Sequence, residues 1–172
     1  MKNITLVGFM GTGKTTVGKQ IARRLGFTFV DCDDEVEKEQ GVSITHIFSE
    51  FGEPYFRQLE REMIARLSGM EGLVISAGGG AVIDPVNVEN MKKAGPVVCL
   101  TATPEAILAR VEKSTHRPLL KTPDPLGRIK ELLAARAEFY GRADITVDTT
   151  GLTPNEVADR VIAATAGGSS RL

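Results

Sequence analysis

Short β-branched or apolar runs alternate along this chain with longer stretches in which apolar residues recur at helical spacing. The strand-like runs are Ile4-Thr5-Leu6-Val7, Phe27-Thr28-Phe29-Val30, Leu73-Val74-Ile75, Val97-Val98-Cys99-Leu100 and Ile145-Thr146-Val147. At least one helical segment separates each from the next. Between the first two, Val17, Ile21, Ala22 and Leu25 fall on one helical face. Parallel strands need crossover connections and bury both faces, so the alternation predicts an α/β chain whose parallel sheet is covered by helices on both sides. Three helix starts are marked by an N-cap side chain followed by proline: Asp84-Pro85, Thr103-Pro104 and Thr153-Pro154. Thr153 with Glu156 has the spacing of a capping box.

The least regular stretch runs from Lys113 to Pro125, with three prolines and the cations Lys113, Arg117 and Lys121. It reads as a surface loop, either a solvated connection or a lid that brings positive charge over phosphates. Residues Ala166 to Leu172 are small and polar and read as a frayed tail. There is no internal repeat and no low-complexity linker.

Composition narrows the classes. A chain of 172 residues, 42% hydrophobic and 25% charged, is expected to form one domain with a full core. A net charge of -1 supplies no basic field for nucleic acid or a membrane surface, so positive patches must be local and aimed at a small anion. No apolar run approaches the ~20 residues that span a bilayer. Cys32 and Cys99 have no metal-ligand spacing; with no secretory signal, they are expected to be reduced, non-catalytic thiols in the cytoplasm.

Between the first strand and the first helix, residues Gly8 to Thr15 read G-x-x-x-x-G-K-T. Placed there, glycines 8, 11 and 13 allow backbone angles and close approaches that a side chain forbids, and successive N–H groups can turn toward phosphate oxygens. The following helix adds unpaired N–H groups and its positive end. Lys14 reaches toward β- and γ-phosphates. The Thr15 hydroxyl is the expected direct protein ligand of a magnesium ion that keeps most of its waters.

A second site is needed to say more. The second strand leads into Asp31-Cys32-Asp33-Asp34, at the carboxyl edge where open α/β sheets collect ligands. If the chain stays extended, Asp31 and Asp33 share a direction, and one can face a metal while the other orients and deprotonates a substrate hydroxyl. The alternative is that Asp33 or Asp34 caps the next helix. The third strand runs into Gly78-Gly79-Gly80, which is either a flexible loop or bare backbone against which a ligand lies. Arg57, Arg117 and Arg136, taken singly, read as solvated cations.

These pieces, in this order, resemble the shikimate kinases, small P-loop kinases of aromatic amino-acid biosynthesis, from about residue 3 to residue 163. The resemblance is carried by Gly8 to Thr15, Asp31-Cys32-Asp33, Ile47-Phe48 with Gly52-Glu53 and Phe56-Arg57, Gly78-Gly79-Gly80, Arg117-Pro118-Leu119-Leu120, and Arg136 with Tyr140. It implies a three-layer α/β/α P-loop kinase fold with a central five-stranded parallel sheet, and a single kinase domain over 1–172. A substrate-binding helical region is expected over about 32–60 and a mobile lid over about 112–124. The implied reaction moves the ATP γ-phosphate to the 3-hydroxyl of shikimate, with Mg2+, in a cytoplasmic monomer.

Position by position, the resemblance makes Asp33 the base or orienting group, with Lys14 and the lid residue Arg117 as its catalytic partners. ATP would meet Gly11, Thr12, Gly13, Lys14, Thr15, Thr16 and Arg117, with Arg110 and Pro154 at the adenine. Shikimate would meet Asp33, Gly78, Gly79 and Gly80, with Arg57 and Arg136 on its carboxylate and Phe48 and Phe56 against its ring. Asp31 would hold magnesium through water, with Ser76 a weaker candidate. Cys32 stands where the family usually has serine or threonine, and Gly151-Leu152-Thr153 lacks basic residues that some relatives carry. A gluconate or adenylate kinase relative, or a nucleotide-binding module without turnover, would share the loop and sheet; the Asp31/Asp33 pair, the triple glycine and Arg136 favour a carboxylated polyol as acceptor.

Overall fold

The computed structural model describes residues 2–113 and 121–167. Its elements follow in the order β1 (Ile4–Val7), α1 (Lys14–Leu25), β2 (Thr28–Asp31), α2 (Cys32–Gln40), α3 (Ile44–Phe51), α4 (Glu53–Ser68), β3 (Leu73–Ser76), α5 (Pro85–Ala94), β4 (Val97–Thr101), α6 (Pro104–Glu112), α7 (Pro125–Tyr140), β5 (Ile145–Asp148) and α8 (Pro154–Ala166). A single 3-10 turn, Ala81–Ile83, joins β3 to α5. The five strands are parallel, in the order β2-β3-β1-β4-β5.

Alternation along the strands divides the core in two. Ile4, Leu6, Val74, Val98 and Leu100 point to the face covered by α1 and α8, through Val17, Ile21, Ala22, Val157, Ala158 and Val161. Val7, Leu73, Ile75, Val97 and Cys99 point to the other face, where α2 to α7 supply Val36, Ile47, Phe56, Ile64, Met91, Ile107 and Ile129. Continuous apolar strands are what a sheet buried on both sides requires. Helix α1 comes especially close to the sheet: a Cβ at Gly18 would lie 2.5 Å from the Phe29 ring.

The strand order places the site. Chain leaving β1 turns into α1 on one face, whereas chain leaving its neighbour β3 turns toward α5 on the other. The crevice between their carboxyl ends is where an open α/β sheet receives a ligand. All three proline-marked helix starts are present, capped by Asp84, Thr103 and Thr153, and Thr153 with Glu156 closes the capping box.

Strands β3, β4 and β5 each run one residue past the apolar run read from the sequence, and β2 differs at both ends. Strand β2 begins at Thr28 and not Phe27, because Phe27 N–H donates to the Ala22 carbonyl and completes the end of α1 behind Gly26. It also ends at Asp31, so the chain does not stay extended to Asp33. Of the stretch expected to form a lid, residues 114–120, including Arg117, lie outside the described residues, as do residues 168–172 of the expected tail.

Candidate active site

The loop after β1 has the expected backbone. Gly8, Gly11 and Gly13 take φ values of 136°, 75° and 94°, and a Cβ at Gly8 would run into the Leu100 carbonyl of β4. Helix α1 starts at Lys14 with no side chain capping its first turn, leaving its positive end to the cleft. Lys14 Nζ donates to the carbonyls of Gly8 at 2.7 Å and Phe9 at 3.1 Å, so its ammonium lies back over the loop. Arg110, on α6, ties this loop to the far side of the sheet: Nη1 donates to Gly11 O at 3.1 Å and to Thr149 Oγ1 at 3.0 Å, and Nη2 to Thr149 O at 3.1 Å.

A cleft of about 610 Å³ runs from this loop to the ends of β2 and β3. Its acidic corner is built differently from the expected one. Asp31 is itself the helix cap: Oδ1 accepts from the N–H groups of Asp33 at 3.0 Å and Asp34 at 3.2 Å. Neither Asp33 nor Asp34 caps α2. Asp33 sits in the first turn of that helix, and it is the helical turn, not strand alternation, that brings it to the same cleft as Asp31. Asp31 pairs in register with Ser76 on β3, and both face the cleft with Thr15.

The three glycines after β3 carry the rest of the geometry. None has positive φ; each is instead approached closely by a charged group of the protein. A Cβ at Gly78 would lie 3.1 Å from Glu60 Oε2 and 3.2 Å from Asp33 Oδ1. At Gly79 it would lie 3.3 Å from Arg136 Nη1, and at Gly80 2.6 Å from Arg57 Nη2. Two carboxylates and two guanidiniums, from α2, α4 and α7, thus converge on three successive residues. Beside them the rings of Phe48 and Phe56 meet at 4.9 Å and form an apolar wall.

Glu60 is the residue that sequence reasoning missed. It is 2% exposed, and Oε1 accepts from Arg57 Nη1 at 2.9 Å, while Arg57 also pairs with Glu53 at 3.2 Å. Among the described residues neither Glu60 Oε2 nor Asp33 Oδ1 has a hydrogen-bond partner, although both atoms are shut off from solvent. Burial, with the charges of Asp31 and Glu60, pushes the Asp33 carboxyl up to about 6 against the opposing pull of Lys14 and Arg57. Burial likewise raises Glu60 despite Arg57. Burial would lower Arg57, but the Glu60 and Glu53 carboxylates together outweigh it and hold the guanidinium above its usual range. Orphaned acceptors with displaced titration inside a cleft mark a place where donors are to be received.

The family model for shikimate kinase matches residues 10–166. The chain belongs to the shikimate kinase family. A shikimate kinase from Thermodesulfovibrio yellowstonii is 50% identical over 162 residues, 94% of each chain. Among solved structures, shikimate kinase from Acinetobacter baumannii in complex with shikimate superposes with a TM-score of 0.91 at 35% identity, over 99% of this chain and 96% of that one. Shikimate kinase from Aquifex aeolicus gives 0.85 at 41% identity, over 97% and 98%. These matches include the three-layer fold with its five-stranded parallel sheet, and they make the protein an ATP-dependent kinase.

Of the residues that the shikimate kinase resemblance singled out, the cleft gathers Gly11, Gly13, Lys14, Thr15, Thr16, Asp31, Asp33, Phe48, Phe56, Arg57, Gly78, Gly79, Gly80, Arg110 and Arg136. Thr12 and Pro154 do not line it. The Thr12 side chain turns inward and donates to Phe9 O at 2.7 Å, which leaves only its backbone for a ligand; Pro154 is the first residue of α8. Cys32 and Cys99 are buried free thiols, and burial pushes Cys99 up to about 11, so neither is a nucleophile here.

Proposed function

We propose that the protein phosphorylates the 3-hydroxyl of shikimate with ATP, and that the cleft between β1 and β3 does so by positioning and charge neutralisation. The observation that carries this reading is the convergence of Asp33, Glu60, Arg57 and Arg136 on Gly78, Gly79 and Gly80, across the cleft from the phosphate loop. Two guanidiniums against bare backbone suit a carboxylate bound bidentately. Two buried acceptors without partners among the described residues suit hydroxyl donors, and the Phe48–Phe56 wall suits a carbocycle. That the Acinetobacter baumannii relative was solved with shikimate supports the choice of acceptor.

In this account ATP lies with its phosphates on the N–H groups of the loop and the start of α1, and Lys14 leaves the Gly8 and Phe9 carbonyls for the β- and γ-oxygens. Arg110 holds the loop and borders the adenine. Asp33 accepts the hydroxyl hydrogen, orients the oxygen for in-line attack on the γ-phosphorus and takes the proton as the bond to the β-bridging oxygen breaks, releasing ADP. Its raised pKa makes it a better base while leaving it ionised at neutral pH. Arg57 and Arg136 hold the carboxylate, and Arg117 supplies a further cation to the transferring phosphoryl.

Among the described residues no group of three or more His, Cys, Asp or Glu side chains could hold a metal. Magnesium therefore fits here as an ion bound mainly by phosphates and water, with Thr15 as direct ligand and Asp31, and more weakly Ser76, reached through water. Such an ion supplies charge to the β- and γ-oxygens. The reading includes a monomer working in the cytoplasm; no helix among the described residues is long and apolar enough to cross a membrane. Nuclear magnetic resonance of the product tests the chemistry: a phosphorus nucleus coupled to the ring proton at carbon 3 is expected, and coupling at another carbon overturns the regiochemistry.

A further inference from the structure

Tyr140 takes no part in the reaction as described, yet it touches two of the groups that do. It is the last residue of α7, one turn beyond Arg136, so the two side chains leave the same face of the helix. Its ring belongs to the buried core and its hydroxyl donates to the Gly79 carbonyl at 2.8 Å. The position of a Cβ at Gly79 is 3.3 Å from Arg136 Nη1 and 3.7 Å from Tyr140 Oη, so guanidinium, phenol and glycine backbone share one small volume of the cleft wall. A phenol whose only proton is committed to a carbonyl keeps just its lone pairs for a neighbouring guanidinium, which can only donate. Burial raises the Tyr140 pKa, and hydrogen bonding from Arg136 opposes it. The two arginines are therefore held in different ways. Arg57 is fixed by Glu53 and Glu60, whereas Arg136 has the face of Phe9 at 5.7 Å and the Tyr140 hydroxyl.

We propose that Tyr140 is a positioning residue for the acceptor site: its hydroxyl links the Arg136 guanidinium to the Gly79 carbonyl, so that the other N–H groups of Arg136 are already aimed at the substrate carboxylate. A neutral partner does this without neutralising the cation, which a third carboxylate would do. Pre-ordering a long side chain removes part of the entropy lost on binding. Because the carboxylate is held alike in ground and transition states, loss of the hydroxyl should appear in KM and not in kcat. The inference rests on the carboxylate role given to Arg136 above.

Tyr140→Phe keeps the buried ring and removes only the hydroxyl. Steady-state kinetics should show shikimate KM raised about tenfold, with kcat and ATP KM within about twofold of the parent. Calorimetry of shikimate binding should show the same loss, and in an Arg136→Ala background the further loss from Tyr140→Phe should shrink below about twofold. Arg142→Gln is the control: Arg142 Nη1 donates to the carbonyls of Val82 at 3.0 Å and Ile83 at 3.2 Å, so this variant loosens the turn after the glycines and leaves Arg136 alone. It should leave shikimate KM within about twofold. Several results would overturn the proposal: unchanged shikimate KM in Tyr140→Phe, a general fall in kcat, both affinities and melting temperature, full additivity with Arg136→Ala, or an equal effect from Arg142→Gln. Unimpaired shikimate binding in Arg136→Ala alone would instead remove the carboxylate role of Arg136, and with it the basis of the inference.

Discussion

Asp33 and Glu60 each bury an oxygen that has no partner among the described residues, a few ångströms from the Gly78 backbone, and this gives the site its energetic character. A folded-state pKa above the unfolded one means that the folded protein holds that proton more tightly. The stability contributed by the Asp33 proton is thus full below the unfolded value of 3.8 and lost as pH rises through about 6. Asp33→Asn should therefore abolish turnover yet stabilise the protein by about 1–3 kcal/mol at neutral pH, a gain that shrinks in thermal melts as pH falls from about 6 and is gone below about pH 4. A neutral-pH melting temperature equal to or below the parent's would contradict that. In the parent, kcat/KM for shikimate should fall as pH drops below about 6. Arg57→Ala removes the partner of a buried carboxylate as well as a proposed substrate ligand. Shikimate affinity by calorimetry should drop more than about tenfold, and stability should drop by about 2–4 kcal/mol; unaltered binding would break the clamp.

At the scale of elements, the site is assembled by loops and helix ends that the sheet merely aligns. The glycines after β3 are bare because protein side chains lie against them. Gly80→Ala would push a methyl toward Arg57 Nη2, the movable end of a flexible side chain. It should raise shikimate KM several-fold while ATP KM and melting temperature change little; equal effects on both substrates would argue against a separate acceptor site. The strands and the three helices capped by Asp84, Thr103 and Thr153 were legible in the sequence because each carries a local signal, an apolar or β-branched run or a Thr-Pro or Asp-Pro pair, whereas the caps of α3 by Ser43 and α7 by Asp124 were not read. The acidic corner was misread because capping is a contest between neighbours: Asp31 wins it, which starts α2 two residues early and puts Asp33 on a helix. Glu60 was missed because one acid among many in a helix looks solvated. Its spacing from Phe56, Met63, Ile64 and Leu67 puts it on the buried face of α4, and that signal was available.

Across the whole molecule, the strand order opens a crevice beside β1, and the two proposed substrate sites lie on its two sides. Arg110 joins the phosphate loop to Thr149 at the end of β5, which connects the nucleotide side to the strand farthest from the acceptor. Arg57 on α4 and Arg136 on α7 meet at Gly79 and Gly80, a proximity that composition could not reveal and only the fold supplies. Arg117→Ala should cut kcat more than about tenfold with a smaller change in shikimate affinity, because its proposed partner is the transferring phosphoryl; unchanged turnover in a coupled assay would remove it from the chemistry. The most direct measurement is ADP formation by the purified protein with magnesium and ATP, alone and with shikimate, quinate or gluconate as acceptor. The account predicts strong stimulation by shikimate alone. ATP binding without stimulation by shikimate, or stronger stimulation by another acceptor, would contradict it.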